Sequence, residues 1–374
     1  MVGTRAWQRN CTTWVVKVGS ALLTENGKSI SDDLIDTLAE ELCYLQTQGC
    51  RVLLVTSGAV AAGLLRLDQS ERPTQVHELQ AAAAIGQSVL MRRYEEAFAR
   101  RQLLTAQILL GHDDVAARDR YLNARGALKT LLARGVVPII NENDTVATDE
   151  IRFGDNDTLA ALVANLVDAD VLVLLTDQPG LYDADPRLSS DAKLLTRVEA
   201  SNPSLDQAAG AGSTLGRGGM VTKVRAARLA ARSGTETLIL SGREPKPLQR
   251  LLEGQALGTW LESHREPQAA RRQWLAGLVT YQGVLELDAG AVAVLRESGK
   301  SLLPVGVTAV RGRFARGDVV LCKDSNGVEV ARGLVNYSSD ESSQILRKSS
   351  QEIASVLGYK GEDELIHRDN MVIL

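Results

Sequence analysis

The residues able to do chemistry cluster at the ends of apolar runs. Lys17 lies inside WVVKVGS, just before Gly19. An ammonium group there is costly to bury without an anionic partner. It reads either as a phosphate contact or as a lysine snorkelling from a strand end. Ser57, in Thr56-Ser57-Gly58-Ala59, stands between an apolar run and an alanine-rich stretch. A hydroxyl and free N–H groups at a helix start bind anions, carboxylates included, or simply cap the helix. Asn141-Glu142-Asn143-Asp144 follows VVPII, and Gly154-Asp155-Asn156-Asp157 opens TLAALVANLV. Acids at a helix start complement its dipole, but capping alone does not account for two such clusters so close together. They could also hold a substrate amine, or organise magnesium and lysines. Thr176-Asp177 ends VLVLL and runs into a Pro-Gly loop. Gly216-Arg217-Gly218-Gly219-Met220-Val221-Thr222-Lys223 joins glycines that admit a phosphate to a helix start and a full positive charge.

Several chemistries are excluded. There is no G-x-x-x-x-G-K-[ST], and the turn after the first strand is not G-x-G-x-x-G, so neither an ordinary P-loop nor an N-terminal dinucleotide fold is expected. His77, His112, His264 and His367 are isolated, and Cys11, Cys43, Cys50 and Cys322 form no C-x-x-C pair, which argues for reduced thiols and against a zinc site. A net charge of −4 gives the whole chain no strong pull on nucleic acid. Met1–Asn10 lacks an apolar signal core, and no run approaches the roughly 18 apolar residues of a membrane span. A cytoplasmic protein with no membrane contact is expected.

The elements that must position these groups alternate. Trp14–Val18, Arg51–Thr56, Thr105–Leu109, Val136–Ile140, Val171–Thr176 and Thr237–Leu240 read as strands. Ser31 caps a helix carrying Leu34, Leu38, Leu42 and Leu45, closed by Gly49; further helices are expected over Glu78–Arg100, Thr158–Val167 and Met220–Ala231. This β-α rhythm predicts an α/β fold, a parallel sheet between two helical layers. Ligands of such sheets bind beyond the carboxyl ends of the strands, where the polar clusters fall. After Trp260 the texture changes. Residues 261–277 read as a linker and 278–374 as a small, mostly β domain, with strands at Gly283–Leu287, Val307–Gly312 and Asp318–Lys323 and a hairpin turn at Asn326-Gly327.

Taken in order, WVVKVGSALLT, VTSGAVAAG, YLNAR, VPIINENDTVAT, GDNDTLAALVA, LLTDQPGLYDADPR and GRGGMVTK resemble the amino-acid kinase family over residues 1–260, and within it the members that phosphorylate glutamate. The end of the chain, with GVLELDAGAVAVL and SLLPVGV, resembles a PUA domain, a module that often binds RNA. The resemblance implies transfer of the ATP γ-phosphoryl group to the side-chain carboxylate of L-glutamate, with Mg2+, as the first step of proline biosynthesis. It also implies feedback inhibition by proline and a homo-oligomer, dimer or tetramer. By the same resemblance, Lys17, Thr176, Asp177 and the loop Arg217, Gly218, Gly219, Met220, Val221, Thr222 and Lys223 contact ATP. Ser57, Asp144 and Asn156 hold glutamate; Lys17, Lys223, Asp155 and Asp157 form the catalytic set. Arg217 departs from the family, which has threonine there.

A carboxylate nucleophile is already ionised at neutral pH, given a reference pKa of roughly 4.3. No general base is needed, which suits a chain without a catalytic histidine. Aspartate, N-acetylglutamate, carbamate and UMP are the competing acceptors; an acetylated amine would need no acidic cradle. For residues 278–374 the alternatives are an RNA reader and a structural β-module. Their arginines are interspersed with acids rather than gathered in a stripe.

Overall fold

The computed structural model describes residues 12–24, 29–69, 71–111, 114–115, 118–147, 155–186, 189–210, 219–263, 281–359 and 361–374. They fall into two compact units. The first is built on an eight-stranded sheet of β1 Thr13–Val18, β2 Arg51–Val55, β3 Thr105–Leu110, β4 Val137–Glu142, β5 Val171–Thr176, β6 Arg197–Glu199, β7 Glu236–Ser241 and β8 Thr259–Glu262. Its order is β3-β4-β2-β1-β5-β7-β8-β6. Neighbours run parallel except β7 and β8, which are antiparallel. The texture change read at Trp260 falls within β8.

The helices of this unit are α1 Ser20–Leu23, α2 Asp32–Thr47, α3 Ala59–Arg66, α4 Val76–Ala99, α5 Arg118–Ala133, α6 Asn156–Val167, α7 Ser204–Gly210, α8 Met220–Ala231 and α9 Pro247–Leu252; the start of α5, up to Asn123, groups with the second unit. Helix α2 starts at Asp32 because Ser31 Oγ accepts from Leu34 N at 3.3 Å, and it ends at Gly49, whose φ of +85° suits only glycine well. All six residues of β1 are buried, as expected of a central parallel strand covered on both faces. Trp14, Val16 and Val18 pack into a core with residues of α2, α4 and α9. Lys17 points to the opposite face, where α6 and α8 cover the sheet. The three-layer arrangement is thus written into the alternation of β1.

Helices α3 and α4 cross at backbone contact. A Cβ on Gly63 would stand 1.8 Å from Ala82 O, and one on Gly86 would stand 1.8 Å from Ala59 O. Only glycine allows that approach. The pair sets α3 tightly over α4 and so fixes where the turn from β2 into α3 lies.

The chain lays β2 on one side of β1 and β5 on the other. The crevice at the carboxyl ends of these strands is the topological switch point where open α/β sheets bind ligands.

The second unit has its own five-stranded sheet, β10-β9-β11-β12-β13, of β9 Gly283–Leu287, β10 Val307–Gly312, β11 Val319–Lys323, β12 Glu329–Leu334 and β13 Met371–Ile373. Three short helices accompany it, α10 Ala289–Ser298, α11 Ser339–Gln344 and α12 Ile353–Leu357. Its core includes Leu285, Val320, Cys322, Tyr337 and Ile366. The β11–β12 connection turns at Asn326-Gly327, with Gly327 at φ +82°. It is longer than a two-residue hairpin loop: Asp324 Oδ1 accepts from the backbone N–H groups of Asn326 and Val328, both at 2.9 Å.

Candidate active site

Strand β1 ends by delivering Lys17, 6% exposed, to the sheet face under α6. Helix α6 starts at Asn156 because Asp155 caps it, accepting from Thr158 N at 2.7 Å and from Thr158 Oγ1 at 3.1 Å. That cap turns the next acid, Asp157, inward, where it is fully buried. Its Oδ1 lies 2.6 Å from Lys17 Nζ and its Oδ2 3.0 Å from Lys223 Nζ. Thr222 Oγ1 donates to the same Oδ2 at 2.7 Å. Lys223 reaches this point from the first turn of α8, which begins at Met220 after Gly219. Two lysines thus share one aspartate, and the buried cluster carries a net positive charge.

Burial pulls the Lys17 ammonium below its ordinary pKa; Asp157 opposes that shift and Lys223 adds to it. For Asp157, burial alone would raise the pKa, but Lys17 and Lys223 outweigh it and hold the carboxyl below the usual range. The aspartate therefore stays ionised and keeps two like charges close together.

A second polar group lies at the ends of β2 and β4. Ladder bonding of β4 to β3 continues through Leu109↔Asn141 and Leu110↔Glu142. Asn141 and Glu142 therefore belong to the strand rather than to the loop expected from the sequence. Asn141 is buried. Its Nδ2 donates to Gln87 Oε1 at 2.8 Å, and its Oδ1 accepts from Asn156 Nδ2 at 2.8 Å and from Glu142 N at 2.9 Å. Asn156 Nδ2 also donates to Thr56 O at 2.5 Å. Ser57 donates from Oγ to Val18 O at 2.9 Å, tying the ends of β1 and β2 together. Ser57 is not the helix cap; that position belongs to Gly58, at φ +90°.

Of the other expected site residues, Asp144 is half-buried in the turn after β4. Thr176 ends β5, and its hydroxyl donates to Asp177 Oδ1 at 3.2 Å. Val221 is exposed at the start of α8. Arg217 and Gly218 lie outside the described residues. A cavity of about 440 Å³ is lined by Val221, Arg225, Arg228 and Arg232 among others. These side chains lie on the face of α8 away from Lys223, and Arg228 is bonded to Asp206 at 2.7 Å, so the cavity is separate from the lysine–aspartate centre. Gln87 was not legible as a site residue: it sits in an alanine-rich helix, where a lone polar side chain reads as surface.

Among the described residues, no group of three or more His, Cys, Asp or Glu side chains is placed to hold a metal ion. Both oxygens of Asp157 are taken by lysines and Thr222, and both oxygens of Asp155 by Thr158.

The model of the amino acid kinase family matches residues 12–241, and that of the PUA domain matches 283–357. The chain belongs to the amino acid kinase family. This amino acid kinase is 57% identical over 361 residues to a glutamate 5-kinase of Saccharophagus degradans, covering 96% of this chain and 97% of that protein. It is 59% identical over 360 residues to a glutamate 5-kinase of Chromohalobacter salexigens, covering 96% and 95%. It is 56% identical over 375 residues to a glutamate 5-kinase of Thioalkalivibrio sulfidiphilus, covering the whole of both. A solved structure of a UMP kinase from Bacillus anthracis aligns with a TM-score of 0.48 at 14% identity, covering 69% of this chain and 98% of that one. No described helix is long and apolar enough to cross a membrane.

Proposed function

We infer that this chain is a glutamate 5-kinase: it transfers the γ-phosphoryl group of ATP to the side-chain carboxylate of L-glutamate, giving L-glutamyl 5-phosphate, the first step of proline biosynthesis. The observation that carries this reading is the buried Lys17–Asp157–Lys223 cluster at the strand ends, in a chain 56–59% identical along its length to glutamate 5-kinases. Phosphoryl transfer between two anions needs charge neutralisation and alignment more than acid–base chemistry. Lys17 and Lys223 supply the positive charge, and Asp157 sets their spacing. Thr222, bonded to Asp157, completes the frame at the start of α8, a helix N-terminus of the kind that favours phosphate. Thr176 and Asp177, with the loop Arg217 to Gly219, hold the nucleotide. Mg2+, carried on ATP, would supply further charge neutralisation.

Ser57, Asp144 and Asn156 hold glutamate beside β2 and β4. The nucleophile is an ionised carboxylate, so no side chain has to remove a proton. Asp155 acts by capping α6 and thereby aiming Asp157. Proline feedback, a homo-oligomeric state and a cytoplasmic location complete the reading, supported by the family resemblance. For the PUA unit, a structural or regulatory role fits better than RNA reading. Arg311 pairs with Glu286 at 2.6 Å, Arg316 with Glu362 at 3.7 Å and Arg332 with Glu329 at 3.8 Å, so these arginines alternate with acids rather than forming a basic stripe.

The test is incubation with ATP, magnesium and hydroxylamine, which traps acyl phosphates, offering glutamate, aspartate, N-acetylglutamate or UMP in turn and counting ADP. Hydroxamate from glutamate alone is the expected result. Turnover of another acceptor would keep the kinase and overturn the substrate. Adding proline to the same assay tests feedback.

A further inference from the structure

The side-chain amides at the ends of β2 and β4 have an orientation dictated by the backbone. Thr56 O can only accept, so the Asn156 atom 2.5 Å from it is Nδ2. Glu142 N can only donate, so the Asn141 atom 2.9 Å from it is Oδ1. That same oxygen takes the second N–H of Asn156 at 2.8 Å. Asn141 Nδ2 then faces Gln87, whose Oε1 accepts at 2.8 Å. The chain of amides has one direction, with no freedom to flip.

Two consequences follow from this direction. Both N–H groups of Asn156 are spent, while its Oδ1 has no hydrogen-bond partner among the described residues. Asn156 therefore offers an incoming molecule an acceptor and no donor. Gln87, only 8% exposed, terminates the chain from the middle of α4, and its Nε2 is buried with no partner among the described residues. A buried unsatisfied donor is costly, and an apolar side chain here would avoid it. The residue is explained by the acceptor it gives Asn141. Gly86 beside it packs against the Ala59 carbonyl, so the Gln87 backbone has little room to drift.

We propose that Gln87 is a positioning residue for the acceptor substrate: through Asn141 it holds Asn156 with its side-chain oxygen presented to the pocket, so that the site selects a carboxylate that also carries an ammonium group. This rests on the placing of glutamate at Asn156 in the proposed function. Without the Gln87 oxygen, Asn141 has a buried donor to satisfy and can rotate away; Asn156 then keeps only its Thr56 anchor, and its Oδ1 is no longer held in place.

The experiment compares glutamate with glutarate, which has the same reacting carboxylate and no amine, by hydroxamate formation and ADP release. A site built to accept from an N–H should prefer glutamate in kcat/KM by at least ~100-fold. In Gln87→Met that preference should fall at least tenfold, mainly through KM for glutamate, with KM for ATP changing less than twofold. Gln87→Asn, whose shortened amide cannot reach Asn141, should behave alike and serves if the methionine variant fails to fold. Gln87→Glu, which keeps an oxygen facing Asn141 Nδ2, should recover the preference to within threefold. An undiminished preference in Gln87→Met or Gln87→Asn overturns the proposal. So does a parallel rise of KM for glutamate, glutarate and ATP, which marks general loosening, and so does a folded Gln87→Glu that recovers nothing. Wild-type protein forming no glutamyl hydroxamate would sink the activity reading itself, and this proposal with it; normal wild-type turnover with an unaltered preference in the variants sinks the relay alone.

Discussion

Lys17 is the residue on which most of the proposed chemistry turns. Removing its charge by Lys17→Met, or that of Lys223 by Lys223→Met, should lower kcat by roughly 10²–10³, the usual cost of one electrostatic contact to a transition state. Stopped assays with saturating ATP and glutamate check this, and near-normal turnover would exclude either lysine from the transfer. Asp157→Asn should be worse in a second way. It leaves two buried ammonium groups without a counter-charge, so stability should drop by about 3–5 kcal/mol in denaturant titration, as for other broken buried pairs. Because burial holds the Lys17 pKa low, its charge is lost on the alkaline side earlier than for an exposed lysine. The alkaline limb of kcat/KM for ATP should therefore lie below the ordinary lysine range. Lys17→Arg, which stays charged, should move that limb upward whatever it does to the maximum.

At the scale of elements, one helix end makes a pH prediction. Glu41 of α2 is buried, and its Oε1 accepts from Leu248 N at 2.7 Å and Gln249 N at 3.3 Å, capping α9 from a different part of the chain. Burial pushes its carboxyl up to about 7, against the two backbone N–H groups that favour the charge. Below the unfolded carboxylate pKa of roughly 4.3 both states are protonated. As pH rises from there to about 7, the unfolded chain ionises first, so stability falls across that window and levels off above it. Glu41→Gln should flatten the slope, seen by comparing denaturation midpoints at pH 5 and pH 8. The α3–α4 crossing makes a second prediction. Gly86→Ala places a methyl where only a backbone oxygen fits, and should cost about 1–3 kcal/mol or more and lower the melting temperature by several degrees. The helices themselves were legible because capping residues and apolar spacing are local signals. The end of β4 was not: Asn141 and Glu142 look like loop residues, and only pairing with Leu109 and Leu110 makes them strand.

At the scale of the whole molecule, two separate cores stand behind two sheets, one around Trp14, Tyr94 and Phe98 and one around Leu285, Val320 and Tyr337. Calorimetry should therefore resolve more than a single two-state transition. Val320→Asp, a charge in the second core, should abolish one transition and leave the other; loss of both together would mean that the units unfold as one. The family model ends at residue 241, while β8, the last strand of the first sheet, runs to Glu262. The sheet therefore extends past the matched segment.

By itself the sequence determined the α/β alternation, the second β unit, the polar segments at strand ends and the family. Those features rest on local propensity, hydrophobic period and residue order, which need no partner. Tertiary structure alone decided that one aspartate, Asp157, sits between two lysines that are each more than sixty positions of chain from it and that Asp155 beside it is a cap. It alone gave the amides of Asn141 and Asn156 a single direction ending at Gln87. Charge pairing and amide polarity depend on distances between elements far apart in the chain, and those distances exist only once the strands are stacked in order.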